Sequence, residues 1–592
     1  MRPLRWLRLP LLLTVLLAPV MVAPGAGGLA AADEARGGPG VVLARINVRD
    51  RNHLDAVAGE LDIWTARPEQ GYVIAAISGA ERAWLNGLGY EVQVLEVRTA
   101  GLQTTEALDP RYYYFDDQVP NAYGRYVVDF LEDLEAAHPE ITELTDIGDA
   151  WMAGQPGYPD RDLWLMRVTN EDPAFGPIDQ KPVFFLSAAM HAREVASAEL
   201  AIRYLKHLTN GYEDAGGYGK DPDVTWLVDH HVCYVLVMHN PDGHAENEWN
   251  TGANRRKNMD WDDGCPDSYD WGVDLNRNHS FLWGCCGGST GAPCQVTYRG
   301  PAPASEPETQ AFESTVTALM GDQNGPNGDN EIAAASPLTT TGILISLHTF
   351  GDMVLWPWAF DDYDDAPNEA ELRTIGRKLA FYNGYDASGS IGYTVDGAAD
   401  DWAYGKLGIA AYTFEVGPYG WPCVTSNPFF PRYECIDGYA GRDFWAENRP
   451  AFLYAHRIAR TPYVTAYGPD AESVAVSASG LSATATVKVT AVIADQRCCG
   501  DTPRPVAGAE VFVDTPGEAG SGLAMDPADG SWGGTSEPVK AALDVSALSP
   551  GRHLVLVRGR NDEGVWGPLS AAFLWAGERT YLPIVRAGAL SR

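Results

Sequence analysis

Basic residues are scarce in this chain: 43 Lys and Arg stand against 79 Asp and Glu over 592 residues, a formal net charge of −36. With no excess cations to neutralise phosphates or anionic headgroups, electrostatic binding to nucleic acid or to a lipid surface is excluded. No apolar run beyond Ala23 approaches the roughly 20 residues that a membrane span requires. Among nine cysteines there is no C-x-x-C and no paired Cys/His spacing, which argues against a zinc knuckle. What is present is an ordinary apolar fraction, 45%, which excludes a mostly disordered chain. Single cores stop growing near roughly 250–300 residues, so this length implies several domains.

The N-terminus gives the compartment. Arg2, Arg5 and Arg8 precede the apolar run Leu9–Ala23, and small residues follow to Asp33. That order predicts a signal peptide over residues 1–32 and a secreted, extracellular protein. The alternative, a membrane anchor, is disfavoured by Pro10 and Pro19 within a short run. An oxidising compartment suits the cysteines. Cys233, inside the apolar run VCYVLV, reads as a free buried thiol. Bridges are expected within the group Cys265, Cys285, Cys286 and Cys294, and between Cys423 and Cys435, while Cys498 and Cys499 pair with each other or elsewhere.

The pattern divides the chain. Residues 36–97 read as a small α/β unit, with strands VVLARINV, YVIAAIS and YEVQVLEV and a helix AERAWLNGLG. Residues 98–110 read as a polar link. Residues 111–461 alternate helices (YVVDFLEDLEAAH, ELAIRYLKHL, Glu371–Asn383, RDFWAENRPAFLYAHRIA) with four unbroken apolar runs, PVFFLSAA, VCYVLVM, GILISLH and IAAYTFEV. Such runs suit strands buried on both faces, so the expected fold class is α/β, a mixed, largely parallel sheet covered by helices. Residues 463–577 turn to short Val/Thr/Ser-rich strands between Gly, Pro and Asp, the pattern of a β-sandwich, and 578–592 form a tail.

In open α/β sheets ligands bind beyond the carboxyl ends of the strands. PVFFLSAA runs into Met190-His191-Ala192-Arg193-Glu194, GILISLH ends on His348, IAAYTFEV carries Glu415, and VCYVLVM leads to His239-Asn240-Pro241-Asp242-Gly243. His191 and Glu194, with distant His348, make the two-His, one-Glu set of catalytic zinc, which keeps one position open. The His-x-x-Glu pair alone leaves a second reading, in which His191 caps a helix or fills the core. Arg255, Arg256 and Arg277, with Asn276, form a cationic group in an acidic chain, suited to gripping a carboxylate or else solvated. The acidic run Asp361–Asp365 offers oxygen ligands of the kind calcium takes, or a solvated loop.

His191-Ala-Arg-Glu194, Asn240-Pro-Asp-Gly243, Gly272-Val-Asp-Leu-Asn-Arg-Asn278, Tyr298-Arg-Gly-Pro301 with Ser305-Glu-Pro-Glu308, His348-Thr-Phe350 and Tyr412-Thr-Phe-Glu415 occur in the order seen in zinc metallocarboxypeptidases. Over roughly Tyr112–Ala459 the chain resembles that family, and its secreted bacterial members most. The resemblance implies a metalloprotease acting as an exopeptidase on peptides or proteins with a free C-terminus, through a zinc-activated water. It implies His191, Glu194 and His348 as ligands of one zinc ion, the ligand set of carboxypeptidase A. It further implies Glu415 as general base, Arg256 as oxyanion stabiliser, Asn276 and Arg277 as the grip on the terminal carboxylate, and Tyr393 as a closing side chain. Arg193 would bind the peptide further along, and Asp274 would orient His191 from behind.

Phe350 stands where the family carries Tyr, and Ala359 where Gly is common. Asp400 holds the pocket position that is acidic in enzymes preferring C-terminal Lys or Arg, so basic ends are expected to be accepted, unless Asp400 faces water or a local donor. Residues 36–97 stand where the family carries a propeptide, which implies a zymogen and an activating protease cutting at 98–110, or else a permanent accessory domain. Two other functions remain alongside: a cell-wall peptide hydrolase or deacylase on the same zinc site, and a non-catalytic binding protein.

Overall fold

The computed structural model describes residues 41–95, 108–109, 111–212, 220–249, 254–266, 268–324, 332–361, 364–420, 422–424, 427–477 and 486–576. The expected signal peptide at 1–32, most of the link at 98–110, the tail at 578–592, and Asp362 and Tyr363 of the acidic run lie outside the described residues.

The first unit contains strands β1 (Val42–Asn47), β2 (Asp62–Arg67), β3 (Tyr72–Ile77) and β4 (Val92–Val94), with helices Arg51–Ala58 and Gly79–Gly87. Its antiparallel sheet has the order β2-β3-β1-β4. The expected strands and the second helix are present, the latter fixed by a reciprocal capping box between Ser78 and Glu81. Helix Arg51–Ala58 and strand β2 are additions. Asp50 caps that helix, accepting from the His53 N–H, and Leu54, Val57 and Ala58 bury one face.

The central sheet contains β5 (Thr142–Asp149), β6 (Asp162–Val168), β7 (Val183–Ala188), β8 (Val232–Leu236), β9 (Ile343–His348), β10 (Met353–Leu355), β11 (Asp386–Ser388) and β12 (Ala410–Glu415). Their order is β11-β10-β12-β9-β7-β8-β6-β5. The four unbroken apolar runs are the parallel quartet β12-β9-β7-β8 at its centre. Antiparallel β6 and β5 extend one side, and β10 pairs antiparallel with β12 on the other. Helix Val195–Tyr212 packs on β7 and β8, and helix Ala399–Leu407 on β9 and β12. All six residues of β9 are buried, which is why the strand is mostly apolar on both faces.

The C-terminal unit has two antiparallel four-stranded sheets. One contains β13 (Asp470–Val476), β14 (Thr486–Ala494), β17 (Asp526–Pro527) and β18 (Ser536–Asp544); the other contains β15 (Val506–Val513), β16 (Leu523–Ala524), β19 (Gly551–Asn561) and β20 (Ser570–Ala576). Val487, Val489, Ile493, Val511, Val555 and Val557 fill the space between them. Strand β18, not anticipated, contains Lys540 and Pro538, which break a strand signature. Disulfides join Cys265 to Cys294, Cys423 to Cys435, and the neighbours Cys285–Cys286 and Cys498–Cys499, while Cys233 is a free buried thiol.

The β unit is fixed to the central one by a buried charge. Lys378, on helix Glu369–Asn383, donates to the Gly468 carbonyl at 2.7 Å and to Asp470 Oδ2 at 3.0 Å. Trp226 and Leu227 pack nearby against Leu554, Leu556 and Ala571. Breaking a buried pair by removing one partner typically costs about 3–5 kcal/mol. Lys378→Met should therefore lower the denaturant midpoint of unfolding, and the double variant Lys378→Met/Asp470→Leu should recover most of the loss.

Candidate active site

The site is built where the parallel strands end. After β7, Ala189 takes a left-handed conformation (φ 52°), which turns the chain out of the sheet. Its N–H is received by Ser197 Oγ at 3.0 Å, and Glu194 N–H donates to the His191 carbonyl. His191 and Glu194 are thus set in one tight turn ahead of helix Val195–Tyr212. Asn240, of the motif after β8, donates from Nδ2 to the Met190 carbonyl at 3.2 Å and holds this turn from behind. His348, last residue of β9, pairs in register with Glu415, last residue of β12.

The imidazoles converge. His191 Nδ1 lies 2.7 Å from Glu194 Oε1, His348 Nδ1 lies 2.9 Å from Glu194 Oε2, and the two Nδ1 atoms are 3.0 Å apart. Among the described residues this is the one such cluster able to hold a metal ion. Two imidazole nitrogens 3.0 Å apart, both turned to one carboxylate, offer a shared cation three donor atoms at once. Two nitrogens and one carboxylate oxygen are the donor set of a catalytic zinc site. Behind them, His348 Nε2 is 3.0 Å from Ser346 Oγ, and His191 Nε2 lies 3.3 Å from Asp274 Oδ1. Burial opposes ionisation of Glu194, but His191 and His348 hold its carboxyl far below the usual range.

Asp274 also receives Arg256 Nε, at 2.9 Å. It reaches this place because Gly272 (φ 99°) brings the chain so close to Asn258 that a Cβ would lie 2.0 Å from the Asn258 carbonyl oxygen. Despite burial, Arg256 and Arg277 keep the Asp274 carboxyl well below its ordinary value. Asn276 Oδ1 accepts the Ala399 N–H at 3.0 Å. Arg277 donates from Nε to the Gly288 carbonyl and from Nη1 to the Asn276 carbonyl, at 2.9 and 3.0 Å.

One cavity collects these groups. His191, Arg193, Glu194 and Arg256 line it together with Asn276 and Arg277, and so do Tyr393, Asp400 and Glu415. Burial and the Glu194 carboxylate push Glu415 up to about 8, against the pull of His348 and Arg256. Asp400 is buried, which raises its pKa, and it accepts from Thr413 Oγ1 at 3.0 Å and from the Asp401 N–H at 3.0 Å. All nine lining positions named here were anticipated, and His348 and Asp274 adjoin them through His191.

The comparisons with known proteins agree with this geometry. The family described as zinc carboxypeptidase (Peptidase_M14) matches residues 127–442. The chain belongs to the zinc carboxypeptidase family. It is 28% identical over 383 residues to a zinc carboxypeptidase of Saccharothrix mutabilis subsp. capreolus, covering 62% of this chain and 78% of that one. It is 26% identical over 411 residues to carboxypeptidase B of Bos taurus, covering 64% and 86%. In fold it is similar to the crystal structure of carboxypeptidase A from Helicoverpa armigera, with a TM-score of 0.52 at 18% identity, over 70% of this chain and 97% of that one.

Some of the carboxypeptidase cavity was not anticipated. Ile63 and Trp64 of β2 enter it. Asp62, beside them, pairs with both terminal nitrogens of Arg193, at 2.7 and 2.9 Å. The Trp64 ring meets Phe429 and Phe350 edge-on, and the Arg193 guanidinium lies 3.7 Å over Phe429. Nothing in the sequence joins segments so far apart. Thr413 and Ser346 were within reach of pattern reading, since each lies two residues before a site residue on the same strand face.

The full chain should carry one zinc ion per molecule by elemental analysis. His348→Ala should lose both that zinc and peptide hydrolysis, while Asp274→Ala should weaken zinc affinity by about 10–100-fold through loss of the support behind His191.

Proposed function

We propose that this zinc carboxypeptidase is secreted, releases single residues from the C-terminus of peptides or proteins with a preference for Lys or Arg, and is made as a precursor blocked by its N-terminal unit. The observation that carries the reading is one cavity lined by His191 and Glu194, by Asn276 and Arg277, and by Asp400. An anion grip beside the metal ligands favours a chain end, since only a terminus supplies a free carboxylate there.

His191, Glu194 and His348 would hold the zinc. The chemistry such an ion supplies when bound is Lewis acidity, toward a carbonyl oxygen and toward water. Glu415 takes the proton of the attacking water and returns it to the leaving amine, the task of a carboxylate within reach of the reacting atoms. Arg256, held by Asp274, stabilises the oxyanion that develops on the scissile carbonyl. Asn276 and Arg277 bind the terminal carboxylate, Tyr393 closes over it, and Arg193 binds the peptide upstream. Among the described residues no Lys or Arg forms an ion pair with Asp400. Its hydrogen bonds come from local neutral donors, Thr413 Oγ1 and the Asp401 N–H, and a basic substrate side chain would add the cation that this buried carboxylate lacks.

Latency is supported by the same contacts. Asp62 occupies Arg193 and Trp64 covers Phe350 and Phe429, which a peptide substrate would need. On this reading residues 1–32 direct export, 36–97 are a propeptide, 98–110 are cut by an activating protease, and 111–461 form the catalytic domain. Residues 463–577 form an accessory domain that braces it through Lys378 and Asp470, and 578–592 end the chain as a tail. Four disulfides accord with an extracellular setting.

Glu415→Gln should abolish turnover while leaving zinc content unchanged. Peptides ending in Lys should be cleaved with higher kcat/KM than those ending in Leu. Asp400→Ala should lower the value for Lys by about 30-fold or more, the scale of a lost buried charge partner, and leave Leu nearly unaffected. Equal rates for both ends in the unmodified protein would overturn the preference.

Asp62→Ala in the uncut chain should raise the rate of C-terminal release toward that of the processed form. An uncut parent already as fast as the processed form would end the latency reading.

A further inference from the structure

Asp396 takes no part in the chemistry above, yet its carboxylate is fully buried and all three of its hydrogen bonds go to one loop. Oδ2 accepts the N–H groups of Cys286 and Gly288 at 3.1 and 3.0 Å, and Oδ1 accepts from Ser289 Oγ. That loop holds the Arg277 side chain, because the Gly288 carbonyl receives Arg277 Nε at 2.9 Å. The backbones are in contact: a Cβ on Gly288 would lie 2.6 Å from Asp396 N and 2.7 Å from the Thr394 carbonyl oxygen. On the other side of Asp396 lie Val395 and Ala398, which line the cavity, and Tyr393, which lines it too. The N-terminal unit touches both partners: the Thr394 N–H donates to Asp55 Oδ1 at 3.1 Å, and a Cβ on Gly59 would lie 2.6 Å from the Gly287 carbonyl oxygen.

We infer that Asp396 is a positioning residue for the carboxylate grip: it ties the loop Cys285–Ser289 to the segment Tyr393–Ala399 and so fixes Arg277 for the substrate's terminal carboxylate. The inference rests on the proposed role of Arg277. With Nε held by Gly288 and Nη1 by the Asn276 carbonyl, Nη2 remains for the ligand, and the planar guanidinium is fixed in orientation. Burying a carboxylate here is unfavourable, since Asp396 adds to the repulsion that raises Asp401. A buried carboxylate is tolerated when several donors satisfy it, and these donors belong to the loop that orients the grip.

The test uses the full chain after proteolytic cutting in the 98–110 link, with a short peptide ending in Lys as substrate. Asp396→Ala should raise KM about tenfold or more with kcat within about threefold of the parent and zinc content unchanged. In an Arg277→Ala background, whose KM is itself raised, the same change should add less than about twofold, because two residues acting through one contact are not additive. Asp396→Asn should restore KM to near the parent value, since its amide oxygen still accepts the two N–H groups and its NH2 can meet Ser289 Oγ. Should Asp396→Ala fail to fold, Ser289→Ala removes one donor and should give a smaller rise in KM that likewise vanishes in the Arg277→Ala background. An unchanged KM in Asp396→Ala (or in Ser289→Ala, where that stands in), or an equal rise with Arg277 already removed, overturns the inference while the grip stands. An Arg277→Ala protein with the parent's KM overturns the grip and this inference together.

Discussion

Parallel pairing of β7, β9 and β12 is the constraint on which the site depends. Its register sets His348 beside Glu415 and Ala188 beside Leu347, so the turn bearing His191 and Glu194 leaves the sheet next to the strand end bearing His348. A slip of one residue in β9 would turn His348 to the other face of the sheet. Most residues of these strands are apolar, and the polar ones gather toward their carboxyl ends, where Ser346 and His348, and Thr413 and Glu415, share a face. The strand ends supply the chemistry, and the turn after β7 and the segment from Arg255 to Arg277 supply the cations.

Those cations are the second element of the design. In a chain of net charge −36, Arg193, Arg256 and Arg277 are buried or nearly so around one cavity: Arg256 is oriented by Asp274 and Arg277 by backbone carbonyls, while Arg193 is paired with Asp62 of the N-terminal unit. Asp274 serves two of the site's parts, standing behind both His191 and Arg256. The cavity mixes signs, with Glu194, Asp400 and Glu415 lining it beside the three arginines.

Much of this was legible before the structure. The apolar runs PVFFLSAA, VCYVLVM, GILISLH and IAAYTFEV gave the parallel quartet because burial on both faces leaves a direct mark on composition. Ordered motifs gave the residues at their ends, each short and rigidly spaced. Strand β18 was missed because Lys540 and Pro538 mask its alternation, and β2 because its six residues, DIWTAR, are too short and too mixed to show a period. The intrusion of Ile63 and Trp64 into the cavity follows from docking of two separately folded units, and no local pattern encodes docking. Asp396 was passed over for a similar reason: its partners are backbone N–H groups of a distant loop, which carry no residue identity.

His191 and His348 are separated by 157 positions along the chain, and their ion site exists only once β9 has joined β7. A polypeptide ending before β9 lacks the third side chain of the site, so the three can meet one ion together only in chains where β7 and β9 have paired.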